Sequence, residues 1–389
     1  MPTLNRREFI VASTIAALAT RTSAAQSPVA SPVVPAASPV ASPSGSPVAM
    51  GNPLSECSMI YDVGSELSRG DISRSASDEQ FYEAELTAIR DQLHCTNVAI
   101  YGSVPDQLIA GLNTAADLGL DIRLQTRLNF LPQADMVDRL ATLAAEAERV
   151  RQQGIPVVLD VGCEYLLFSE DLLKGDNFAE KIESISAPDF DWGEVLHHKA
   201  EMLTALADIA RANFGGTVAY SDTPDNPVEI WDPFDIIGID HYLSSENAGT
   251  YVETIDTFAQ SGKPVWVDEF GCPAYRGASE DSGMAWNIVD SSGDSPHITE
   301  GIVRDEVEQA QSIFDALGLI DQSMAERAYL NEFITAQAVY SDDPLYDWDV
   351  TGYGIVTVFG DDSEHPYETT GYWEPKVAFD QLAAWNATR

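Results

Sequence analysis

Basic residues are scarce in this sequence. Its 389 residues include 21 lysines and arginines against 62 aspartates and glutamates, which gives a formal net charge of −41. Nucleic acids and anionic membrane surfaces are bound mainly through clustered lysine and arginine side chains. We therefore expect neither of them as a partner, and we interpret the excess of acidic residues as a solvated surface.

Long apolar runs are also missing. Beyond the N-terminus no stretch approaches the 18 or more apolar residues typical of a membrane-spanning helix, so we expect no membrane span in the mature protein. Residues 5–10 (NRREFI) resemble the twin-arginine export motif, and a short apolar run and the small residues 23–25 follow them. This order is typical of a cleavable signal. We predict a signal peptide over residues 1–25 and a location outside the cytoplasm.

Cysteine and histidine are few, with four and six residues respectively. Four cysteines do not make a disulfide scaffold, and their spacing matches no metal-binding pattern. Cys57 and Cys95 each precede one of two predicted neighbouring strands, which is compatible with a disulfide or with two free thiols. The sequence also lacks a G-x-G-x-x-G or Walker-type glycine loop. We predict no cofactor and no metal.

A low-complexity segment follows the predicted signal. Residues 26–53 repeat Ser-Pro-Val among alanines, for example at Ser27 and Ser46. Proline, serine and alanine at this density favour extended conformers and cannot build a core. We predict a disordered linker over residues 26–53 and one folded domain over residues 54–389.

Short apolar runs alternate with helical patterns from residue 57 onward. Alternation of this kind indicates parallel strands joined by helical crossovers, and eight such units predict a closed (β/α)8 barrel. An open, doubly wound sheet is the alternative. A helical pattern over Met324–Tyr340 precedes the last predicted strand. The predicted strands are Ser58–Gly64, Thr96–Gly102, Asp121–Asn129, Pro156–Glu164, Gly216–Thr223, Asp235–Tyr242, Pro264–Gly271 and Gly352–Gly360.

Polar residues end most of these apolar strands, which predicts a polar rim over an apolar barrel. Reactive groups lie at the C-terminal ends of barrel strands. Glu164 ends the fourth strand and Glu269 the seventh, and these strands face each other across the barrel mouth. Two carboxyls about 5–5.5 Å apart serve retaining glycosidases as nucleophile and acid/base. The other predicted strand-end residues are Asp62, Tyr101, Arg127, Asp222, Asp240, His241, Tyr242, Asp268 and Phe359.

The order and spacing of these segments resemble the clan of retaining glycoside hydrolases built on (β/α)8 barrels, which includes β-mannanases, endoglucanases and β-galactosidases. Val267–Gly271 resembles the nucleophile strand of that clan, and Ile239–Tyr242 resembles its sixth strand. Trp373–Phe379 resembles the start of its last helix. The resemblance covers about residues 57–389 and rests on all three segments together.

The resemblance implies a role for three residues. Glu164 would be the acid/base, Glu269 the nucleophile, and Tyr242 a hydrogen-bond donor to the nucleophile. The sequence departs from the clan at Cys163, where asparagine usually holds the sugar 2-hydroxyl, because a thiol is a much weaker donor. Either another residue takes that role, or the substrate differs there, or activity is reduced.

Several further residues are candidates for the same face. Arg127 either lies near the nucleophile and lowers its pKa or pairs with another acid of the rim. Asp268 should point out of the barrel because alternate strand residues face opposite ways. Tryptophans of the loops are either platforms for sugar rings or packing residues. The substrate-binding candidates besides Tyr242 and Arg127 are His241, Asp62, Trp286 and Trp373.

The leading hypothesis is a secreted, monomeric glycoside hydrolase that acts on β-glycosidic bonds of an oligo- or polysaccharide. One alternative is a catalytically inactive barrel that binds glycans at the cell surface, which the cysteine at position 163 favours. The other is a metal-dependent hydrolase, whose candidate ligands are Asp62, Asp222, Asp240, His241 and Asp268.

Overall fold

Eight parallel strands close into a barrel in the computed structural model, which describes residues 53–175, 178–185, 190–291 and 295–389. Each strand pairs with its neighbours in sequence, and the last pairs with the first. The predicted (β/α)8 barrel is confirmed. The predicted signal peptide and all but the last residue of the predicted linker lie outside the described residues. The strands are β1 Ser58–Asp62, β2 Asn97–Gly102, β3 Asp121–Thr126, β4 Val157–Cys163, β5 Thr217–Asp222, β6 Ile236–Asp240, β7 Val265–Phe270 and β8 Arg327–Leu330.

Helices surround the barrel, and their ends follow local sequence signals. Pro105 occupies the first turn of its helix, where its missing N–H costs nothing. The side chain of Asp191 accepts the first free N–H groups of another helix. Only a 3-10 turn, Val228–Trp231, joins β5 to β6. The main helices are α1 Tyr82–Asp91, α2 Pro105–Asp117, α3 Gln133–Gln152, α4 Trp192–Asn213, α5 Tyr251–Ala259, α6 Glu306–Ile320 and α7 Val377–Asn386.

Shorter elements decorate the loops of the barrel. Within the part of the chain that the structure describes, no helix combines the length and the apolar character needed to cross a membrane. The short helices are Tyr165–Phe168, Phe178–Ile185 and Tyr367–Thr370, and two small hairpins are formed by Glu66–Ser68 with Asp71–Ile72 and by Val289–Asp290 with His297–Ile298.

The eighth barrel strand is not the predicted one. β8 lies inside the segment 324–340 that was predicted to be helical, and the predicted strand Gly352–Gly360 is outside the barrel. Its core, Val356–Phe359, is indeed a strand, but it belongs to a separate sheet with Val339–Tyr340 and Trp373–Pro375. Phe359 therefore does not lie on the barrel rim, and its ring packs against Tyr340 and Tyr372 instead.

The barrel interior contains a buried ionic layer, which contradicts the prediction of an apolar interior. Arg123 on β3 forms ion pairs with Asp160 on β4 and Asp268 on β7. The hydroxyl of Ser221 on β5 lies 2.7 and 3.0 Å from oxygens of these two carboxylates and can donate its one proton to either. The predicted outward direction of Asp268 is thus wrong, because its side chain lies inside the barrel.

Cys57 and Cys95 are both free and buried. The two cysteines lie at the start of the paired strands β1 and β2, as predicted, and the Cys95 thiol is 3.5 Å from the carbonyl oxygen of Cys57. The amide of Asn386, on α7, donates to the same carbonyl at 3.0 Å. In this structure the two cysteines are thus linked by a hydrogen bond and not by a disulfide.

Candidate active site

A cleft of about 640 Å³ opens at the C-terminal ends of the barrel strands. Glu164 and Glu269 both line it, as do Tyr242, Arg127, Asp62, His241 and Trp286 among the predicted site residues. Most of the charge on its wall is negative, because eight carboxylates face one arginine there. The carboxylates belong to Asp62, Glu164, Asp225, Asp240, Glu246, Glu269, Asp281 and Glu332.

A bulge in β7 brings two consecutive carboxylates to the inside of the barrel. Ile239 of β6 pairs with Val267, but the next residue, Asp240, pairs with Glu269, so Asp268 is the extra residue. A bulge interrupts the regular alternation of side chains between the two faces of a strand. Asp268 is therefore free to join the ionic layer, and Glu269 still reaches the cleft above it.

The Glu269 carboxylate is held on both oxygens. The guanidinium of Arg127 forms an ion pair with Oε1, and the hydroxyl of Tyr242 donates to Oε2 at 3.2 Å. The amide of Asn331 in turn donates to the Tyr242 hydroxyl at 2.7 Å. The two alternatives for Arg127 do not exclude each other, because the rim acid with which it forms an ion pair is Glu269, the candidate nucleophile.

Strand β4 carries an extra residue too. Asp160 pairs with Ala219 and Cys163 with Ser221, so three steps on β4 match two on β5. Gly162 sits in this irregular stretch with φ 153°, and a Cβ there would lie 2.1 Å from the ring of Tyr165. Only glycine fits at that point. The chain then turns sharply through Glu164, which has φ 47°.

Glu164 is set up to hold a proton. Burial, followed by the negative charges of Asp240 and Asp222, raises its pKa to about 8. Arg127 and Lys199 oppose this shift without cancelling it. Burial is thus the largest cause of the raised pKa, and the charges of these two aspartates come second.

Cys163 joins the ends of β4, β6 and β7. Its thiol donates to Oδ2 of Asp240 at 3.2 Å and lies 3.7 Å from Oε1 of Glu269. The residue is only 1% exposed. Its thiol is thus in contact with two carboxylates and is not part of the cleft wall, where the asparagine of the resembled clan would hold the sugar 2-hydroxyl.

The sequence matches no protein-family model, and a search of curated proteins gives no match. The structure is similar to a GH113 β-mannanase from Alicyclobacillus acidocaldarius, with a TM-score of 0.54, 16% identity, and coverage of 87% of this chain and 98% of that one. The chain shares the (β/α)8 barrel fold of this glycoside hydrolase.

Two further structures support the same fold. The complex of a GH113 β-1,4-mannanase gives a TM-score of 0.53 at 14% identity and covers 87% of this chain and 100% of that one. A GH2 β-galacturonidase from Eisenbergiella tayi gives 0.50 at 12% identity, over 87% of this chain and 52% of that one. The resemblance predicted from the sequence is thus confirmed at the level of fold.

The sequence analysis missed two cleft residues that follow β8. Asn331 supports Tyr242, as described above, and Glu332 accepts hydrogen bonds from Tyr101 at 2.8 Å and from Thr335 at 2.7 Å. Both were missed because β8 was placed elsewhere. A usable signal was present, since Arg327–Leu330 is a short run that ends in polar residues, as β4 and β7 do.

His241 and Asp62 lie in the cleft wall but are bound to the protein. The His241 ring stacks on Tyr251 at 4.0 Å, and burial lowers its pKa to about 4, so it is neutral at pH 7. Asp62 accepts hydrogen bonds from the backbone of Gly64 at 2.8 Å and from the hydroxyl of Ser65 at 3.0 Å. Both residues shape the cleft, and neither is an isolated charge in it.

The two tryptophan candidates have different positions, one in the cleft wall and one outside it. Trp286 lines the cleft and is 8% exposed. Trp373 is not among the residues of the cleft wall, and its ring packs against Phe333 and Phe379 beside α7. Its predicted role as a sugar platform is therefore wrong, and the packing alternative describes it.

The five candidate ligands of the metal-dependent alternative are not brought together. Asp222 forms an ion pair with Lys199, and Asp268 is paired with Arg123 below the cleft. Among the described residues, the group with metal-ligand proximity is Cys163, Asp240 and Glu269, which shares one member with the predicted set. That alternative loses its geometric support.

Buried carboxyls predict an unusual dependence of stability on pH. Burial is the main cause that raises the pKa of Asp240, Asp268 and Glu332 to about 7 and that of Glu164 to about 8. The folded protein thus keeps protons that the unfolded chain releases near pH 4. The contribution of these groups to the free energy of unfolding is therefore largest below about pH 4 and falls as pH rises to about 8.

We expect the melting temperature, measured by calorimetry, to be higher near pH 5 than near pH 8. Repulsion within a chain of net charge −41 acts in the same direction. Glu332→Gln is the matched variant, because it keeps a polar group beside Tyr101 and Thr335 without a titrating proton, and it should flatten the slope. A melting temperature that rises from about pH 5 to about pH 8 would contradict this prediction.

Proposed function

We propose that this protein is a secreted glycoside hydrolase that cleaves β-glycosidic bonds by a retaining double displacement. The observation that carries the proposal is the pair of glutamates at the ends of β4 and β7, which line one cleft of a glycoside hydrolase barrel fold. Glu269 would be the nucleophile and Glu164 the acid/base. The mannanase and galacturonidase neighbours support the reaction class.

The first step forms a covalent glycosyl-enzyme. An oxygen of the Glu269 carboxylate attacks the anomeric carbon while Glu164 gives its proton to the departing glycosidic oxygen. Arg127 and Tyr242 orient the attacking carboxylate through the contacts described above. A group with a pKa of about 8 still holds its proton at neutral pH, which suits Glu164 to this step.

The second step returns the enzyme to its starting state. Glu164, now ionised, takes a proton from a water molecule that attacks the anomeric carbon from the face the leaving group left. The bond to Glu269 breaks, and its carboxylate returns to its contacts with Arg127 and Tyr242. Two inversions at one carbon retain the β-configuration. The configuration of the first product, followed by proton NMR, tests this part of the proposal.

The charge of the cleft favours a neutral glycan. Eight acidic side chains and one arginine line it. Burial leaves Glu164, Asp240 and Glu332 wholly or partly protonated at neutral pH, but the acidic groups still outnumber the single arginine, which is already paired with Glu269. A uronate would bring a further negative charge into this field with no free arginine in the cleft wall to receive it. The cleft therefore suits a neutral polysaccharide, such as the substrate in the names of the GH113 neighbours, better than a galacturonide.

A panel of polysaccharides tests the proposal directly. We expect the protein to release reducing sugar from at least one of β-mannan, β-glucan, xylan and β-galactan, and none from glucuronide or galacturonide substrates. Denatured protein is the control for background release. Activity on the uronides alone would overturn the charge argument, and silence on the whole panel would count against hydrolysis and favour glycan binding without turnover.

Glycan binding without turnover is the second candidate, and Cys163 is the observation that favours it. The thiol is buried and donates to Asp240, so it is not available to hold a sugar hydroxyl as an asparagine at this position would. Affinity electrophoresis in gels that contain each polysaccharide separates the two candidates. Retarded migration together with no release of sugar would support a binding protein.

Export remains a proposal that rests on the sequence. The twin-arginine-like motif at residues 5–10, the short apolar run and the serine- and proline-rich residues 26–53 support secretion with a spacer before the barrel. The chain would then meet its polysaccharide outside the cytoplasm. The predicted monomer and the predicted lack of a nucleic-acid partner likewise stay predictions.

A further inference from the structure

Three potential metal ligands meet at the wall of the cleft, at the ends of β4, β6 and β7. The Cys163 thiol, the Asp240 carboxylate and the Glu269 carboxylate place one ligand atom each within 4.8 Å of the others. All three residues are buried. Asp240 and Glu269 also line the cleft, which gives an ion a path to the cluster.

The distances suit a tetrahedral ion. Zinc bonds of about 2.3 Å to sulfur and about 2.0–2.2 Å to oxygen, at tetrahedral angles, hold a sulfur and an oxygen ligand about 3.5 Å apart. The measured separations from the Cys163 sulfur are 3.2 Å to Asp240 and 3.7 Å to Glu269. These two values bracket the expected one, and the third separation, between Asp240 and Glu269, lies within 4.8 Å.

One member of the cluster also carries an unsatisfied atom. Oδ1 of Asp240 is buried and has no hydrogen-bond partner among the described residues, although the residue is only 4% exposed. A buried carboxylate oxygen without a partner is costly unless a proton or a cation joins it. The carboxylate therefore has capacity for one more ligand contact beside the Cys163 thiol.

The charges also balance. A thiolate and two carboxylates carry three negative charges, and a divalent cation leaves one, which the Arg127 guanidinium beside Glu269 offsets. Binding would release the thiol proton of Cys163 and any proton on Asp240, as metal binding to such ligands does. Sulfur as one of three ligands selects zinc or cadmium over magnesium or calcium.

We propose that Cys163, Asp240 and Glu269 form a site for a thiophilic divalent cation such as zinc, and that occupation of this site blocks the cleft chemistry. The ion would take up the carboxylate that the proposed mechanism needs as nucleophile. The site itself rests on the three side chains and not on the proposed function. Inhibition follows only if Glu269 also acts in turnover.

Cadmium is the probe, because a cadmium–thiolate bond has its own ultraviolet charge-transfer absorption. We expect wild-type protein to develop this band up to one equivalent of cadmium, with zinc competing and magnesium not. Cys163→Ala should lose the band. Cys272→Ala is the matched control, since it removes another buried thiol outside the cluster, and it should keep the band.

Three outcomes overturn the site: no band in wild-type protein, a band that Cys163→Ala retains, or a band that Cys272→Ala loses. If Cys163→Ala does not fold, Asp240→Asn replaces it and should weaken cadmium binding at least about tenfold, given that even indirect support of a metal costs 10–100-fold. Unchanged binding in that variant would contradict the proposal. Because the band is read without substrate, a failure of the proposed hydrolase function would not alter these outcomes.

Discussion

Glu269→Gln will lower kcat on the polysaccharide that the wild-type protein hydrolyses by on the order of 10⁴-fold or more. This is the usual size of the loss when a covalent nucleophile is removed. Glutamine has nearly the same shape, so it can keep a hydrogen bond with Tyr242, but its amide cannot attack the anomeric carbon. It also leaves Arg127 without its ion-pair partner. The measurement is reducing-sugar release under single-substrate conditions, together with the melting temperature of both proteins.

Glu246→Gln is the matched control for this variant. Glu246 also lines the cleft, but it is exposed and lies beyond the end of β6, so the same chemical change there should leave kcat within a few fold of wild type. Equal release by Glu269→Gln and wild type would show that Glu269 is not the nucleophile. Loss of activity in both variants would indicate that activity depends on the net charge of the cleft and not on one carboxylate.

The position of the two glutamates at the cleft could be predicted because local sequence and global fold agree there. Val265–Phe270 and Val157–Cys163 are apolar enough to be recognised as buried parallel strands, and each carries or precedes a glutamate at its end. Strand number then fixes which ends face each other. The pattern survives although the identity to the solved barrels is 16% or less, as the values above show.

β8 could not be predicted in the same way because it is short. Four residues, Arg327–Leu330, form the strand, and the alanine, glutamate and leucine around them are good helix formers. Only the closure of the barrel, with β7 on one side and β1 on the other, makes them extended. Tertiary context thus outweighed local helix propensity. Because β8 was not predicted, the cleft residues Asn331 and Glu332 that follow it were not predicted either.

Asp268 shows a second limit of sequence patterns. Strict alternation of side chains predicts that Asp268 points away from Glu269. The structure has a one-residue bulge here, which leaves no recognisable pattern in the sequence and changes the direction of the side chains that follow it. The partner that holds it, Arg123, lies 145 residues away. Its burial as an ion pair depends on three strands that no local window contains.

Glu164→Gln will lower kcat/KM on the polysaccharide by about 10²–10⁴-fold, the usual contribution of a general acid. The loss should nearly vanish on an aryl glycoside with a nitrophenolate leaving group, because that group departs without a proton. The second step still needs the base, so kcat on the aryl glycoside should stay low. If Glu164 had only a structural role, the variant would lower kcat/KM on both substrates alike. The comparison of kcat/KM between the two substrates therefore separates the two roles.

The pH profile supplies an independent reading of the same residue. Glu164 must be protonated to act, and burial with the charges of Asp240 and Asp222 raises its pKa to about 8. Wild-type kcat/KM should therefore fall as pH rises through about 8, and Glu164→Gln should lack this decline. Asp240→Asn removes one of the negative charges that raise the pKa, so its decline should begin at lower pH. A wild-type decline that persists unchanged in Glu164→Gln would assign the proton to another group and withdraw the acid/base role from Glu164.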